Sequence, residues 1–254
     1  MAVPRFTIEL SAVELDVVWR SLSFGDLPLI LDVPSPGATR AERAALEARV
    51  WAGLVDRELA EDHGRATGKL VTVLGVIRRR RWAVELRTFG PDPRQAILAV
   101  HGVRAVLAVL DKGKLRLARV PDTGIAGTLL SLLPELPAGK GHQVTVAAEA
   151  LTAAAAAGTS AAARDVLRGH GVNRDDAGSL ITMTTGSIHT GQIAAELRGP
   201  DGRLTRSPRI VAFYDTPHGR YRALRTDGHL TIGPATPAAL AYSVDDLLLD
   251  LRTR

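Results

Sequence analysis

An Asp and a His close together in a chain can perform acid–base catalysis, and residues 209–232, RIVAFYDTPHGRYRALRTDGHLTI, contain such a pair. Asp215 lies three residues before His218. The intervening stretch Thr216–Gly219 reads TPHG, and Pro followed by Gly in this arrangement is typical of a tight turn. A turn predicts that His218 sits in water at a hairpin tip and that Asp215 accepts a backbone N–H from the loop. The sequence therefore favours a structural role for both residues over a catalytic one.

Other motifs that carry chemistry are incomplete in this chain. Residues 64–70, GRATGKL, resemble a phosphate-binding loop but have one residue too few between the glycines, and Leu70 stands where a magnesium-binding hydroxyl belongs. The sequence contains neither G-x-S-x-G nor G-x-G-x-x-G, and it has no Cys. Its seven His are not spaced with acids in a metal-ligand pattern. These patterns predict no catalytic residues, no cofactor and no metal.

Length and composition predict a cytoplasmic protein. The 254 residues are 46% apolar, enough for one large domain or for two small ones that share a core. No apolar run reaches the roughly 18 residues that suggest a membrane span. Glu9, Glu14 and Asp16 interrupt the region where a signal peptide needs an apolar stretch, and the lack of Cys fits a reducing compartment.

The charge balance leaves a second function open. The sequence pI is near 10.0, but the net charge is only +5 and the basic residues are spread along the chain. Only Arg78–Arg81 forms a run, and aromatic residues make up 4% of the chain, few for stacking on nucleic-acid bases. The run is typical of a solvated entry into the following strand. The alternative is a basic protein that binds nucleic acid or another polyanion through Arg78–Arg81.

Helix signals dominate the first third of the chain. Ser11 with Glu14 predicts a capping box at the start of a helix, and Thr39 predicts the N-cap of a second helix. Residues 27–33, LPLILDV, are apolar and end at a Pro- and Gly-rich turn, which predicts a short strand. Residues 70–77 are apolar and fit either a helix or a strand.

Strand patterns follow. Residues 82–120 alternate with a period of two and predict a four-stranded antiparallel meander with hairpin connections. We expect a helix over 122–133, a strand over 142–146, a helix beginning at Asn173 and a strand over 187–198. The Ala-rich stretch 149–168 fits either two short helices or one helix and a mobile loop.

An internal repeat predicts the fold class. Residues 82–94, WAVELRTFGPDPR, and residues 193–203, IAAELRGPDGR, share A-x-E-L-R followed by a GPD turn, and similar strands and a Leu-rich helix follow each copy. We therefore predict an α+β fold in which two pseudo-symmetric halves, each a β-meander with helices, form a central antiparallel sheet flanked by helical bundles. The halves cover approximately residues 1–135 and 142–254 of a single domain.

Two sequence blocks resemble the EspG family, the cytosolic chaperones of actinobacterial type VII (ESX) secretion. Residues 10–43, LSAVELDVVWRSLSFGDLPLILDVPSPGATRAER, are similar to the family's opening helix, LPLxL strand and PSPGxTxxER turn. Residues 207–236, SPRIVAFYDTPHGRYRALRTDGHLTIGPAT, are similar to its strand, DTPxGRY turn and closing strand. The two blocks occur in the family's order and the resemblance extends over nearly the whole chain.

The resemblance implies a non-catalytic function: binding the apolar helical tip of a PPE-type protein within a PE–PPE heterodimer, which keeps the cargo soluble and directs it to secretion. Position alone then suggests five partner-binding residues, which are Trp82, Phe89, Arg94, Arg220 and Arg222. The chain departs from the family in two places. The loop at 90–94 is short where the family often has a long mobile loop, and the Ala-rich stretch 147–163 is bland where a docking bundle is expected.

Overall fold

The computed structural model describes residues 4–253, which form eight α-helices, one short 3-10 helix and thirteen strands. The helices are α1 (Ala12–Ser21), α2 (Arg40–Asp56), α3 (Gly68–Arg78), α4 (Ile125–Leu130), α5 (Ala148–Ala155), α6 (Ser160–Gly169), α7 (Arg174–Thr184) and α8 (Pro237–Arg252). The first seven strands are β1 (Ile8–Ser11), β2 (Ala60–Asp62), β3 (Arg65–Ala66), β4 (Trp82–Phe89), β5 (Gln95–His101), β6 (Arg104–Asp111) and β7 (Lys114–Val120). The others are β8 (Val144–Ala147), β9 (His189–Arg198), β10 (Leu204–Arg206), β11 (Val211–Thr216), β12 (Gly219–Thr226) and β13 (His229–Pro234).

Eleven strands form one large antiparallel sheet, and β2 and β3 form a separate small one. The strand order is β1-β7-β6-β5-β4-β9-β11-β12-β13-β8, with β10 paired to β9. One strand, three α-helices, a four-stranded meander and an α-helix follow one another from β1 to α4, with the 3-10 helix and the β2–β3 hairpin inserted among the helices. The same succession recurs from β8 to α8 apart from the short β10. The predicted α+β fold with two pseudo-symmetric halves is therefore confirmed.

The chain divides into two compact units. Unit 1 contains the described residues up to Glu85, together with Arg94–Leu129 and Leu197–Arg203. Unit 2 contains Leu86–Pro93, Leu130–Glu196 and the described residues from Leu204 onward. The repeat suggests instead a single domain with two halves that cover approximately residues 1–135 and 142–254, and this division stays a prediction.

Each unit has its own apolar core, because each meander buries one face against its helices. In unit 1, Trp19, Leu54 and Leu74 from α1, α2 and α3 pack into one cluster with strand residues such as Ile97. In unit 2, Leu167 and Leu180 from α6 and α7 pack into a cluster with Tyr221 and Ile232. No helix in the described range 4–253 is long and apolar enough to cross a membrane.

The predicted helix starts are confirmed in atomic detail. Ser11 Oγ accepts from the backbone N of Glu14 at 3.2 Å, and the Glu14 carboxylate accepts from the backbone N of Ser11 at 2.7 Å. Thr39 caps α2 in the same reciprocal way, and the Asn173 side chain accepts from the α7 backbone. Each cap satisfies N–H groups that lack a partner within the helix, and caps of this kind contribute about 1 kcal/mol.

The predicted strand at residues 27–33 is wrong. Leu29–Leu31 form a 3-10 helix in which the N–H of Leu31 donates to the carbonyl of Pro28 at 2.8 Å. Leu29 is 80% exposed, whereas the next two residues, Ile30 and Leu31, are both buried. Pro28 cannot donate to a sheet ladder, and its carbonyl instead accepts the 3-10 hydrogen bond of Leu31.

The ambiguous segments are helical. Residues 70–77 lie in α3, and the Ala-rich stretch forms the two short helices α5 and α6 rather than a helix and a mobile loop. Gly158 adopts φ +74° between those helices, and the Thr159 hydroxyl then caps α6. The helix predicted over 122–133 is shorter, because Gly124 takes φ +63° just before α4 begins at Ile125. The predicted meander, β4 to β7, is confirmed.

Candidate partner-binding surface

The acid in the segment 209–232 forms a buried ion pair. Asp215 and Arg220 face each other in the register of β11 and β12. Arg220 donates from Nε and Nη2 to the two carboxylate oxygens of Asp215 at 2.6 and 2.8 Å. Both residues are buried, and the guanidinium lies 5.3 Å from the centre of the Phe213 ring. A carboxylate held on both oxygens by a buried guanidinium serves the fold and is not poised as a base.

The prediction that Asp215 accepts a backbone N–H from the loop is therefore wrong, because Thr216 is the acceptor. The backbone N–H of His218 donates to Thr216 Oγ1 at 3.1 Å, while Asp215 is occupied by Arg220. Residues directly opposite each other on antiparallel strands interact, and a charged guanidinium competes better for a carboxylate than a neutral N–H. The turn itself lies at Thr216–Gly219 as predicted, and His218 is exposed.

The remaining residues of the DTPxGRY motif attach a neighbouring loop to β12. Gly219 adopts φ +113°, and a Cβ there would lie 2.7 Å from the carbonyl oxygen of Pro137. The N–H of Arg220 donates to that same carbonyl at 2.8 Å, and the Tyr221 hydroxyl donates to the carbonyl of Lys140 at 3.0 Å. The Gly, the Arg and the Tyr of the motif thus each hold residues 137–140 in place.

The PSPGxTxxER motif has an equivalent structural function in unit 1. Asp16 is buried and accepts from Arg43 at 2.5 Å, from Arg20 at 2.9 Å and from Ser35 at 3.1 Å. Arg43 also donates to the carbonyl of Pro36 at 3.2 Å, which ties the turn to α2. Burial acts to raise the pKa of Asp16, but the hydrogen bonds from Arg43 and Arg20 outweigh it and lower that pKa.

The five residues suggested as partner contacts lie in different environments. Phe89, at the end of β4, is 44% exposed, whereas Trp82, at the start of the same strand, is half-buried. Arg94 begins the approach to β5 and places Nε 3.6 Å from a carboxylate oxygen of Asp111. These three residues stay predictions as contacts, and Phe89 offers the most accessible apolar surface.

The two arginines beyond the turn are engaged within the fold. Arg220 is buried in its pair with Asp215. Arg222 is half-buried and donates to the carbonyl of Ala239 at 2.9 Å and to the hydroxyl of Ser243, which fastens α8 to β12. Their role as partner contacts also stays a prediction, and these bonds leave little of either guanidinium for another protein.

Sequence reasoning missed Ile188, a second exposed apolar residue near Phe89. Ile188 is 52% exposed and directly precedes β9, where its N–H donates to the carbonyl of Asp215 at 2.7 Å. Gly90 follows Phe89 with φ +130°, and a Cβ on Gly90 would lie 2.8 Å from the carbonyl oxygen of Ile188. The two segments are therefore in close contact. We call Phe89 and Ile188, both in unit 2, the Phe89–Ile188 surface.

The run Arg78–Arg81 is not a row of free cations. Arg80 is buried and donates to the carbonyl of Ile77 at 2.9 Å. Arg198 donates to the carbonyls of Arg78 and Arg80, and Arg81 donates back to the carbonyl of Arg198. The run ends α3 and leads into β4. The expectation that these arginines are solvated is met by Arg79 and Arg81, which are exposed, but not by Arg80.

Within residues 4–253, no group of three or more His, Asp or Glu is arranged to hold a metal ion. The polar motifs described above contribute to the fold, and the exposed apolar residues remain as the candidates for function. The molecule is therefore an α+β protein whose sequence motifs are engaged in hydrogen bonds within the fold.

The family follows from comparison with known proteins. The chain matches the EspG family over residues 11–246 and belongs to it, which confirms the resemblance seen in the sequence. Among solved structures, it is similar to the Mycobacterium tuberculosis type VII secretion system chaperone EspG5, whose structure was determined in complex with a PE25–PPE41 dimer. The identity is 14%, the TM-score is 0.73, and 95% of each chain is covered, so this likeness establishes the fold. No curated protein matches the chain.

Proposed function

We propose that this protein is a chaperone that binds the helical tip of a PPE-type protein in a PE–PPE heterodimer, keeps it soluble and directs it to type VII secretion. Membership of the EspG family over residues 11–246 carries this proposal. The similarity to EspG5, a chaperone whose structure contains a PE25–PPE41 dimer, supports the same partner class.

The Phe89–Ile188 surface is the proposed cargo contact. An apolar helix tip self-associates in water unless another apolar surface covers it. Phe89 and Ile188 provide exposed apolar side chains, and their two segments pass so close at Gly90 that a side chain there would clash with the Ile188 carbonyl. A pre-organised surface loses less entropy on binding.

The proposed action requires binding and release but no turnover. The cargo needs cover before it reaches the secretion machinery, which places the chaperone in the cytoplasm. A chaperone that must give up its cargo is suited to a moderate interface with a polar rim rather than to a large obligate one. The two exposed apolar side chains of the Phe89–Ile188 surface fit an interface of that kind.

Co-expression tests the proposal directly. The chain is co-produced with a PE–PPE heterodimer, and the soluble fraction is separated by size exclusion. We expect one-to-one complexes of chaperone and heterodimer, and more soluble cargo than in cells without the chaperone. Insoluble cargo and separate elution of the chaperone contradict the proposed function.

A further inference from the structure

An open cleft of about 690 Å³ lies in unit 2, beside helices α6 and α7. Residues from a loop and from both helices line it: Lys140, Gly141, Arg164, Arg174, Asp175, Gly178, Ser179 and Thr182. Its volume is of the size of small-molecule pockets, roughly 300 to 1,000 Å³, but the cleft is open to solvent along its length.

The cleft is electropositive. Lys140, Arg164 and Arg174 are exposed, and none of their side chains makes an ion pair or hydrogen bond with another described residue. Asp175 is the one carboxylate among the lining residues, so three cations and one anion leave an excess of two positive charges. The neighbouring Asp176 carboxylate is bound by His142 at 2.7 Å and by the Asn173 side chain at 2.7 Å.

The walls of the cleft are held by contacts that do not involve its cations. The Tyr221 hydroxyl donates to the carbonyl of Lys140 at 3.0 Å, and Gly139 lies so close to the Tyr221 ring that a Cβ there would be 2.0 Å from it. The His142–Asp176 contact links the same loop to α7. The backbone at Lys140 is therefore held in place, whereas the Lys140 ammonium group makes no ion pair or hydrogen bond with another described residue.

Beyond the first turn of α7, the residues that line the cleft are uncharged: Gly178, Ser179 and Thr182. A Cβ added to Gly178 would meet nothing within 4 Å, although a Gly inside a helix costs about 1 kcal/mol relative to Ala. Ser179 and Thr182 supply hydroxyls on the same helix, and Thr182 Oγ1 donates to the carbonyl of Gly178 at 3.1 Å. The helix thus leaves room for an incoming chain between the cations.

We propose that this cleft binds a carboxylate-bearing segment of the cargo, with Asp or Glu side chains of the PPE-type tip placed against Lys140, Arg164 and Arg174. This inference rests on the proposed function and adds the charge of the partner to it. Arginines bind carboxylates in a bidentate geometry, and cations on three different elements suit several carboxylates spaced along a chain.

The same features argue against a nucleic acid as the occupant. None of the described lining residues is aromatic, so the bases of a single strand have nothing on which to stack. Exposed charge pairs select and orient a partner more than they tighten the complex. The cleft therefore adds specificity for acidic cargo to the apolar contact of the Phe89–Ile188 surface.

The test compares two triple variants with the same change in net charge. One carries Lys140→Gln, Arg164→Gln and Arg174→Gln. The control carries Arg40→Gln, Arg49→Gln and Arg119→Gln, three exposed residues of unit 1 whose side chains make no ion pair with the described residues. The Kd for the PE–PPE heterodimer is measured at low salt and at about 0.5 M salt, where screening is strong.

We expect the cleft variant to bind roughly tenfold more weakly than wild type at low salt, since three exposed charge pairs are lost together. The difference shrinks at high salt, and the control variant keeps the wild-type Kd. Charge reversal by Arg174→Glu is rescued when acidic residues of the cargo tip are changed to Lys.

Equal binding by the cleft variant and wild type at low salt overturns the inference while leaving the proposed function intact. An equal loss in the control variant also overturns it, because net charge and not the cleft is then responsible. Loss of binding to a short single-stranded DNA, with cargo binding unchanged, overturns it in favour of a polyanion site. If wild type itself forms no complex with the heterodimer, the proposed function fails first.

Discussion

Arg220 and Asp215 face each other across the β11–β12 hairpin and form a bidentate ion pair that is almost completely buried. The pair joins the strand before the turn to the strand after it. Arg220 Nη2 also donates to the carbonyl of Pro134 at 3.1 Å, so one guanidinium organises both the hairpin and the loop that precedes β8. The pair is therefore central to the stability of unit 2.

Breaking this pair is expected to destabilise the protein strongly. Arg220→Ala leaves a buried carboxylate without its counter-ion, and the loss of one partner of such a pair typically costs about 3–5 kcal/mol. The free energy of unfolding, from urea titration followed by circular dichroism, provides the measurement. His218→Ala, in the exposed tip of the same turn, is the control and should change stability by no more than about 0.5 kcal/mol. Similar unfolding midpoints for the two variants contradict a structural role for the pair.

Gly219 is expected to tolerate no side chain, because Pro137 and Gly139 approach it closely. A Cβ would lie 2.7 Å from the Pro137 carbonyl oxygen and 2.8 Å from the Gly139 nitrogen. Gly102→Ala is the matched control, since Gly102 also has positive φ in a hairpin but has nothing within 4 Å of the added carbon. Both variants carry backbone strain, and Gly219→Ala adds an overpacking cost of about 1–3 kcal/mol. Equal losses in thermal unfolding would show that the close approach is unimportant.

Asp16 is expected to make the stability of unit 1 depend on acid pH. Burial acts to raise its pKa, but hydrogen bonds from Arg43 and Arg20 lower the pKa below the ordinary value of about 3.9. A carboxyl whose folded pKa is depressed stabilises the fold above its unfolded pKa and loses that contribution as pH falls through the folded pKa.

The measurement compares wild type with Asp16→Asn from pH 7 down to pH 3. The variant should be less stable by about 1–3 kcal/mol at neutral pH, since it weakens charged hydrogen bonds in a buried site. The gap should narrow below pH 4. A gap that stays constant across the range shows that the charge of Asp16 does not contribute.

The Phe89–Ile188 surface is expected to affect cargo binding without affecting the fold. Phe89→Ser combined with Ile188→Ser removes two exposed apolar side chains, and apolar anchors at interface centres contribute about 1–2 kcal/mol or more each. The Kd for the PE–PPE heterodimer should rise at least tenfold while the unfolding midpoint stays the same. Val103→Ser, at the 86% exposed tip of another hairpin, is the control. Unchanged cargo affinity in the double variant removes this surface from the interface.

Local patterns allowed most of the fold to be predicted. The strand-forming residues and turn signals from Trp82 to Val120 located the meander, although β5 and β6 are buried on both faces. The caps at Ser11, Thr39 and Asn173 depend on residues three positions apart. The internal repeat then required the second half to follow the first. The segment 27–33 was misjudged because its seven residues are too few to distinguish a strand from a 3-10 turn by apolar content alone.

The contacts between distant residues escaped sequence reasoning. Asp215 was expected to bond to its own loop, and only the register of β11 and β12 places Arg220 opposite it. Ile188 carries no signal beyond being an apolar residue beside Gly186 and Ser187, and its approach to Gly90 depends on contacts between segments about one hundred positions apart. The basic cleft likewise combines a loop cation with two helix cations that no local pattern connects.

The two outermost strands of the large sheet, β1 and β8, are only four residues long, and each runs directly into a helix. A long unpaired outer strand offers backbone N–H and C=O groups to other chains and invites polymerisation. Because its sheet ends in such short strands, this chain exposes few unpaired backbone N–H and C=O groups to which a client, or a second copy of itself, could add a strand and extend into a fibre.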